Sequence, residues 1–149
     1  MRVTRYTDYA LRVLIYLAVV PTDRLSTIQE IADHYHISKN HLMKVVQQLN
    51  ALGYVDAIRG KHGGLRLGRP ADRINLGDLV RHTEHGDSSA LVECFSTENQ
   101  CVISPNCQLK RILAEALQQF LSSLSNYTLA DIVTETERPA LIQLLQLQS

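Results

Sequence analysis

Apolar residues recur along most of this chain at the three-to-four-residue spacing of amphipathic helices. From Asp8 to Val19, Leu11, Leu14, Ile15 and Ala18 share a helical face that Tyr9, Val13 and Tyr16 widen. Thr7 and Asp8 are capping types at its start, and Pro21 closes it. Ser26-Thr27-Ile28-Gln29 has the capping-box pattern of Ser followed three residues later by Gln. It opens a short helix with Ile28, Ile31 and Ala32 turned inward. His34-Tyr35-His36-Ile37 leads to Ser38, the N-cap of a third helix marked by Leu42, Val45, Val46, Leu49 and Leu52. Gly53 stands in its C-cap position. Two short helices joined by a turn of about four residues form the helix-turn-helix signature.

The period then changes. Tyr54 to Ile58 reads as a strand, Arg59-Gly60-Lys61-His62-Gly63-Gly64 as a basic glycine-rich turn, and Leu65-Arg66-Leu67 as the return strand. A β-hairpin directly behind a helix-turn-helix is the layout of a winged helix. Pro70 to Asn75 is a linker, and Leu76, Leu79 and Val80 start a further short helix. Residues 84–107 are polar and irregular. A long helix follows, with Leu109, Ile112, Leu113, Ala116, Leu117, Phe120, Leu121 and Leu124 at helical spacing. A short piece from Thr128 to Val133 and an apolar stretch from Ala140 to Leu147 come last. The expected fold is mainly α: a winged helix-turn-helix over residues 1–75, then a cysteine-bearing loop and a long helix over residues 76–149.

Composition narrows the function classes. With 45% hydrophobic residues among 149, wholesale disorder is excluded. The longest apolar run, Val13 to Pro21, is too short to span a bilayer. The N-terminal residues show no apolar stretch with a cleavage site, so a cytoplasmic location is expected. The net charge of zero hides an asymmetry: residues 1–70 hold ten Lys/Arg against five Asp/Glu, and residues 71–149 the reverse. A basic first half points to a polyanionic partner.

The recognition helix of a helix-turn-helix enters the major groove N-terminus first. Here that end carries Ser38, Lys39, Asn40, His41 and Lys44, with Gln47 a turn further on. Asn40 and Gln47 have the donor–acceptor pair suited to adenine, and Lys39 and Lys44 reach phosphate or guanine. The wing offers Arg59, Lys61 and His62 between glycines. The alternative is a set of ordinary solvated charges, but helix, helix, hairpin and charge asymmetry agree on DNA. A nucleotide-binding loop is excluded, because the wing lacks a Gly-Lys-Ser/Thr ending.

All three cysteines, Cys94, Cys101 and Cys107, fall within fourteen residues. Their spacing is not that of zinc ribbons; longer spacings suit a loop around an iron–sulfur cluster, with one ligand still to be found. Cys107 opens the long helix, whose dipole favours a thiolate. A redox pair with a spare, a zinc site completed by His82 or His85, and plain loop residues remain open.

The opening Met1-Arg2-Val3-Thr4-Arg5-Tyr6-Thr7-Asp8-Tyr9-Ala10-Leu11-Arg12 resembles that of the winged-helix iron–sulfur repressors, the family that includes NsrR and IscR. So do the wing motif Arg59 to Gly64 and the three-cysteine loop. The Asp8-Tyr9-Ala10-Leu11 start, Pro105-Asn106-Cys107 and Asn126-Tyr127-Thr128-Leu129-Ala130-Asp131 are most similar to its nitric-oxide-sensing NsrR-type members. IscR-type members carry a His ligand where this chain has Lys110.

The resemblance implies a homodimer joined through the long helix and repressing transcription at an operator. It implies a cluster, [4Fe-4S] in preference to [2Fe-2S], on Cys94, Cys101 and Cys107, with Asp8 of the other subunit as fourth ligand. Nitric oxide would nitrosylate the iron and release the DNA. A regulator of the same fold responding to redox state or iron is the main rival. A thiol oxidoreductase would need a Cys-x-x-Cys pair or a base beside a cysteine, and the chain offers neither. A zinc-stabilised interaction module is the third.

Overall fold

The computed structural model describes residues 2–85 and 90–147. Its first helix, α1 (Arg5–Val19), starts three residues before the predicted Asp8. The cap is Thr4, whose hydroxyl accepts the Thr7 N–H at 3.3 Å. Thr4 is itself fixed from far along the chain: its N–H and hydroxyl donate to Glu84 Oε1 at 2.7 and 2.8 Å. Thr7 is buried instead, and its hydroxyl donates to that of Thr83 at 2.8 Å. At the other end Arg138 Nη1 donates to the Val19 carbonyl at 2.7 Å.

The second helix, α2 (Ile28–Tyr35), is capped one residue later than the pattern predicts, by Thr27 with Glu30 in a reciprocal capping box. Ser26 is unavailable because its backbone pairs with Leu65 in both directions, at 3.0 and 2.7 Å. The turn after α2 contains His36 in the left-handed conformation (φ +54°), with the Ile37 N–H bonded back to Ala32. Ser38 then precedes α3 (Lys39–Ala51) at the N-cap position, without a side-chain cap bond. Gly53 follows the C-cap Leu52 with φ +78°, the left-handed backbone that favours glycine just past a helix end.

The wing is an antiparallel pair, β1 (Val55–Ile58) and β2 (Gly64–Leu67), with Val55 opposite Leu67 and Ile58 opposite Gly64. Ser26 adds a single bridge to Leu65. Beyond it, among the described residues, lie a 3-10 turn at Ala71–Arg73, α4 (Leu76–Thr83), two further 3-10 turns at Glu93–Phe95 and Ser104–Asn106, then α5 (Gln108–Leu124), α6 (Leu129–Ile132) and α7 (Arg138–Leu144). The mainly helical winged architecture expected from the pattern is therefore present.

The core centres on α1, whose Ala10, Val13, Leu14 and Tyr16 are inaccessible to solvent and meet Ile31, Leu42, Leu49 and Leu79. Leu129, Val133, Leu145 and Leu147 join the same cluster, so the end of the chain returns to the first helix. The contrast is α5: none of its 17 residues is buried, and Leu109 (61%) and Ile112 (55%) are exposed. A helix with so regular an apolar stripe ordinarily hides it. No helix among the described residues is long and apolar enough to cross a membrane.

Candidate nucleic-acid interface and cysteine loop

Helix α3 divides cleanly by face. Leu42, Val45, Val46 and Leu49 are buried against α1 and α2, while Ser38, Lys39, Asn40, Lys44 and Gln47 are exposed. His41 differs from its neighbours. It is half-buried, and its ring meets the Tyr9 ring edge-on at 4.9 Å. Tyr6 adds a second link from α1, its hydroxyl donating to the Lys44 carbonyl at 3.4 Å. One large apolar side chain stands on the open face: Met43, 48% exposed.

On the wing, Arg59, Lys61 and His62 are all exposed around a turn closed by the Gly63 N–H donating to Gly60 at 3.0 Å. Arg66 is engaged with Asp56 across the strands at 2.9 Å. Arg59 and Lys61 have no ion-pair partner among the described residues, so they are the wing's open cations.

The wing is anchored by residues that periodicity does not reveal. Arg69 donates through Nε to the Gly53 carbonyl (3.2 Å) and through Nη2 to Leu52 (2.8 Å), placing a cation at the carbonyl end of α3. The same guanidinium lies 4.6 Å from the centre of the Tyr54 ring. The Tyr54 hydroxyl is hydrogen-bonded to His82 Nδ1 at 2.7 Å, and burial raises its pKa.

The cysteines sit outside the core. No described residue from Glu84 to Cys107 is buried, and all three thiols are free. Cys107 is the N-cap of α5, and its Sγ accepts the Lys110 N–H at 3.4 Å. Cys94 is half-buried in a 3-10 turn and Cys101 is exposed. Among the described residues no three His, Cys, Asp or Glu side chains gather within reach of one metal ion. Binding all three thiols to one cluster therefore requires the loop to draw together, and no buried side chain there opposes it. Three thiols outside any disulfide, one of them capping a helix N-terminus, fit the ligand chemistry of an iron–sulfur cluster.

Asp8 lies inside the first turn of α1, and its carboxylate is not a cap. It pairs with Arg12, Nη2 at 2.9 Å and Nε at 3.1 Å. Arg12 in turn lies 5.8 Å from the Tyr9 ring centre and 5.9 Å from that of Tyr35. His82 and His85 are exposed, and His82 is already committed to Tyr54.

A family model described as Rrf2, iron-dependent transcriptional regulator, matches residues 3–135, a span that includes Asp8, the wing and all three cysteines. The chain is 54% identical over 134 residues to the HTH-type transcriptional regulator NsrR of Bacillus licheniformis, covering 89% of this chain and 92% of that one. It is also 54% identical over 138 residues to the NsrR of Bacillus subtilis, covering 92% and 93%. Among solved structures it resembles the IscR of T. potens in fold, with a TM-score of 0.72 at 22% identity, covering 93% of this chain and 90% of that one. The two Bacillus relatives are named as regulators and not as enzymes. With the winged helix, its exposed polar face and the family match all in agreement, the chain belongs to the Rrf2 family of transcriptional regulators.

Proposed function

We propose that this regulator is a homodimeric repressor that binds a two-fold-related operator and lets it go when nitric oxide reaches an iron–sulfur cluster. The proposed ligands are Cys94, Cys101 and Cys107, with Asp8 of the second copy as the fourth, and the proposed cluster is [4Fe-4S]. The observation that carries this reading is the set of three free, unburied thiols, Cys107 among them capping α5, in a chain 54% identical to regulators named NsrR.

Operator contact falls to Ser38, Lys39, Asn40, Lys44 and Gln47 of α3, with Arg59, Lys61 and His62 on the wing. His41 contributes by holding α3 against Tyr9. Dimerisation falls to α5, whose unburied stripe has the right length and pattern to be covered by a second copy. Two recognition helices about one DNA turn apart would then meet two half-sites.

Held by Cys94, Cys101 and Cys107 with Asp8 of the second copy, an iron–sulfur cluster would supply iron with one hard, exchangeable carboxylate position among thiolates, the chemistry that suits a small diatomic signal. The chain's own residues determine what that does to DNA binding. Asp8 is either paired with Arg12 or free to serve the second copy. Arg12 lies beside Tyr9, and Tyr9 packs on His41 of the recognition helix. Glu84, at the root of the cysteine loop, holds the cap of that same α1. Loop root and recognition helix thus both contact α1, so a rearrangement of the loop can bias α3 through it.

A second reading, a response to redox state or iron supply, is favoured by the family's description as iron-dependent. One experiment separates the two: absorption spectra of anaerobically purified protein before and after stoichiometric nitric oxide, with a gel shift on its own promoter. A brown protein that bleaches and releases DNA with nitric oxide supports the proposal. Release on chelation or air alone, with no response to nitric oxide, supports the second reading. A colourless protein that binds DNA regardless overturns both.

A further inference from the structure

The open face of α3 carries one large apolar side chain, Met43; Ala51 is the other apolar residue exposed on it, at its C-terminal end. Asn40, Met43 and Gln47 follow one another at i, i+3 and i+7, and Met43 lies between the two amides on the side away from the core. Its thioether side chain is 48% exposed, so it does not serve the packing of α3 against α1 and α2, which Leu42, Val45, Val46 and Leu49 carry out. Isolated apolar residues on a surface are ordinary. What distinguishes this one is its setting, on the exposed face that a helix-turn-helix turns to the major groove, between Asn40 and Gln47 along the helix axis. Among base edges in that groove the apolar feature is the thymine C5-methyl.

We propose that Met43 is a specificity-determining residue that packs on a thymine methyl between the bases read by Asn40 and Gln47. The inference rests on the operator-binding reading above and deepens it by naming a base preference. A long, unbranched, polarizable side chain suits this role, since it adapts to a methyl group without demanding a fixed rotamer. The neighbouring amides favour adenine. The site predicted for each half of the operator is therefore rich in A·T pairs, with one thymine whose methyl matters.

The test uses the full-length, anaerobically prepared dimer and its own promoter duplex. The protected segment is located by footprinting, and each thymine in it is then replaced by uracil, which removes only the methyl group. Wild type should lose about fourfold in affinity at one thymine per half-site, the value for burying one methyl-sized group. Met43→Ala, which removes no core packing and should keep the circular dichroism of wild type, should bind more weakly and ignore that replacement. Met43→Leu should keep the sensitivity. If wild type is indifferent to every uracil, or Met43→Ala is as sensitive as wild type at each one, the proposal is overturned while the repressor reading stands. Absence of any protected segment overturns the repressor reading, and the role of Met43 with it.

Discussion

Tyr54 and His82 meet through a 2.7 Å hydrogen bond between the phenol and Nδ1, joining the residue that enters the wing to the last turn of α4. Gln48 of α3 adds a third element, its Nε2 donating to the His82 carbonyl at 3.2 Å. Helix α4 leads directly into the cysteine loop, so this junction ties the wing and the end of the recognition helix to the loop's root. Tyr54→Phe keeps the ring under Arg69 and removes only the hydroxyl. We expect a loss of about 1 kcal/mol in urea unfolding, the usual value of one hydrogen bond, together with weaker operator binding. Unchanged unfolding and unchanged affinity would remove the pair from the wing's support.

The exposed cations and amides of α3 should separate by salt dependence. Lys39→Ala and Lys44→Ala are expected to weaken binding alike on operator and unrelated DNA. Each should lower the slope of log affinity against log salt by about 1, the effect of one phosphate left without its cation. Asn40→Ala and Gln47→Ala should instead lower the preference for operator by about 1–3 kcal/mol each, with an unchanged slope. His41→Ala should cost stability first, because its ring packs on Tyr9. A salt slope altered by Asn40→Ala and untouched by Lys39→Ala would reverse these assignments.

The helices and wing are legible in the sequence because their signals are local: a 3.6-residue period, a change to alternation, and glycines at the turns. What does not show locally is set by distant partners. The start of α1 moves back to Thr4 because Glu84 holds it, and the capping box moves to Thr27 because Ser26 is engaged by Leu65. Spacing places Cys107 at the head of the long helix, but no spacing reveals whether three thiols converge. Met43 is hidden in the pattern, since an apolar residue within a helical period reads as core. Arg69 needs the fold, as its partners at Leu52 and Gly53 lie beyond the whole hairpin.

Alkaline pH should destabilise the fold. Burial pushes the Tyr35 phenol up to about 12, an effect that Arg12 lowers and Asp8 raises. Tyr16 shifts the same way through burial and Glu30. Between pH 10 and 12 the unfolded chain has released the Tyr35 proton that the folded chain retains, so stability falls as pH rises through that window. Below about pH 10 this group adds no slope. Urea midpoints measured from about pH 8 to 11 should be level and then decline, and Tyr35→Phe should make the decline shallower. An identical decline in that variant would exclude Tyr35 as a contributor.

Gly77 marks where α4 touches the end of α5. A Cβ there would lie 2.0 Å from Ser125 Oγ and 2.9 Å from the Leu121 carbonyl. Ser125 Oγ is not free to swing, since it donates to Leu121 at 2.9 Å and accepts from Arg81 at 3.0 Å. Alanine raises helix propensity by about 1 kcal/mol, but the clash should outweigh it, giving a net loss of about 1–3 kcal/mol. Adding Ser125→Ala should recover only part, because the carbonyl clash remains. A Gly77→Ala protein as stable as wild type would show that the two helices are free to separate.

The cysteines and Asp8 should differ in severity. Cys94, Cys101 and Cys107 lie outside the core, so replacing Cys94 or Cys101 by Ala should leave thermal unfolding of the metal-free protein within about 0.5 kcal/mol of wild type, as for ordinary surface changes. Cys107→Ala should cost about 1 kcal/mol through loss of the α5 cap. Cluster absorbance and operator binding by anaerobic protein should be lost in each case. Cys107→Ala has one further effect, removing the Sγ that accepts the Lys110 N–H, and Cys107→Ser should restore that cap without restoring the cluster. Asp8→Ala should leave a cluster on three thiolates with altered absorbance and faster loss on chelation. It also frees Arg12 from its 2.9 Å ion pair, so the Asp8→Asn variant, which retains a hydrogen-bond acceptor for Arg12, separates the two roles. If Asp8→Asn behaves as wild type toward the cluster while Asp8→Ala does not, Asp8 acts through Arg12 and the fourth ligand lies elsewhere. If both loosen the cluster equally, the carboxylate itself is the ligand.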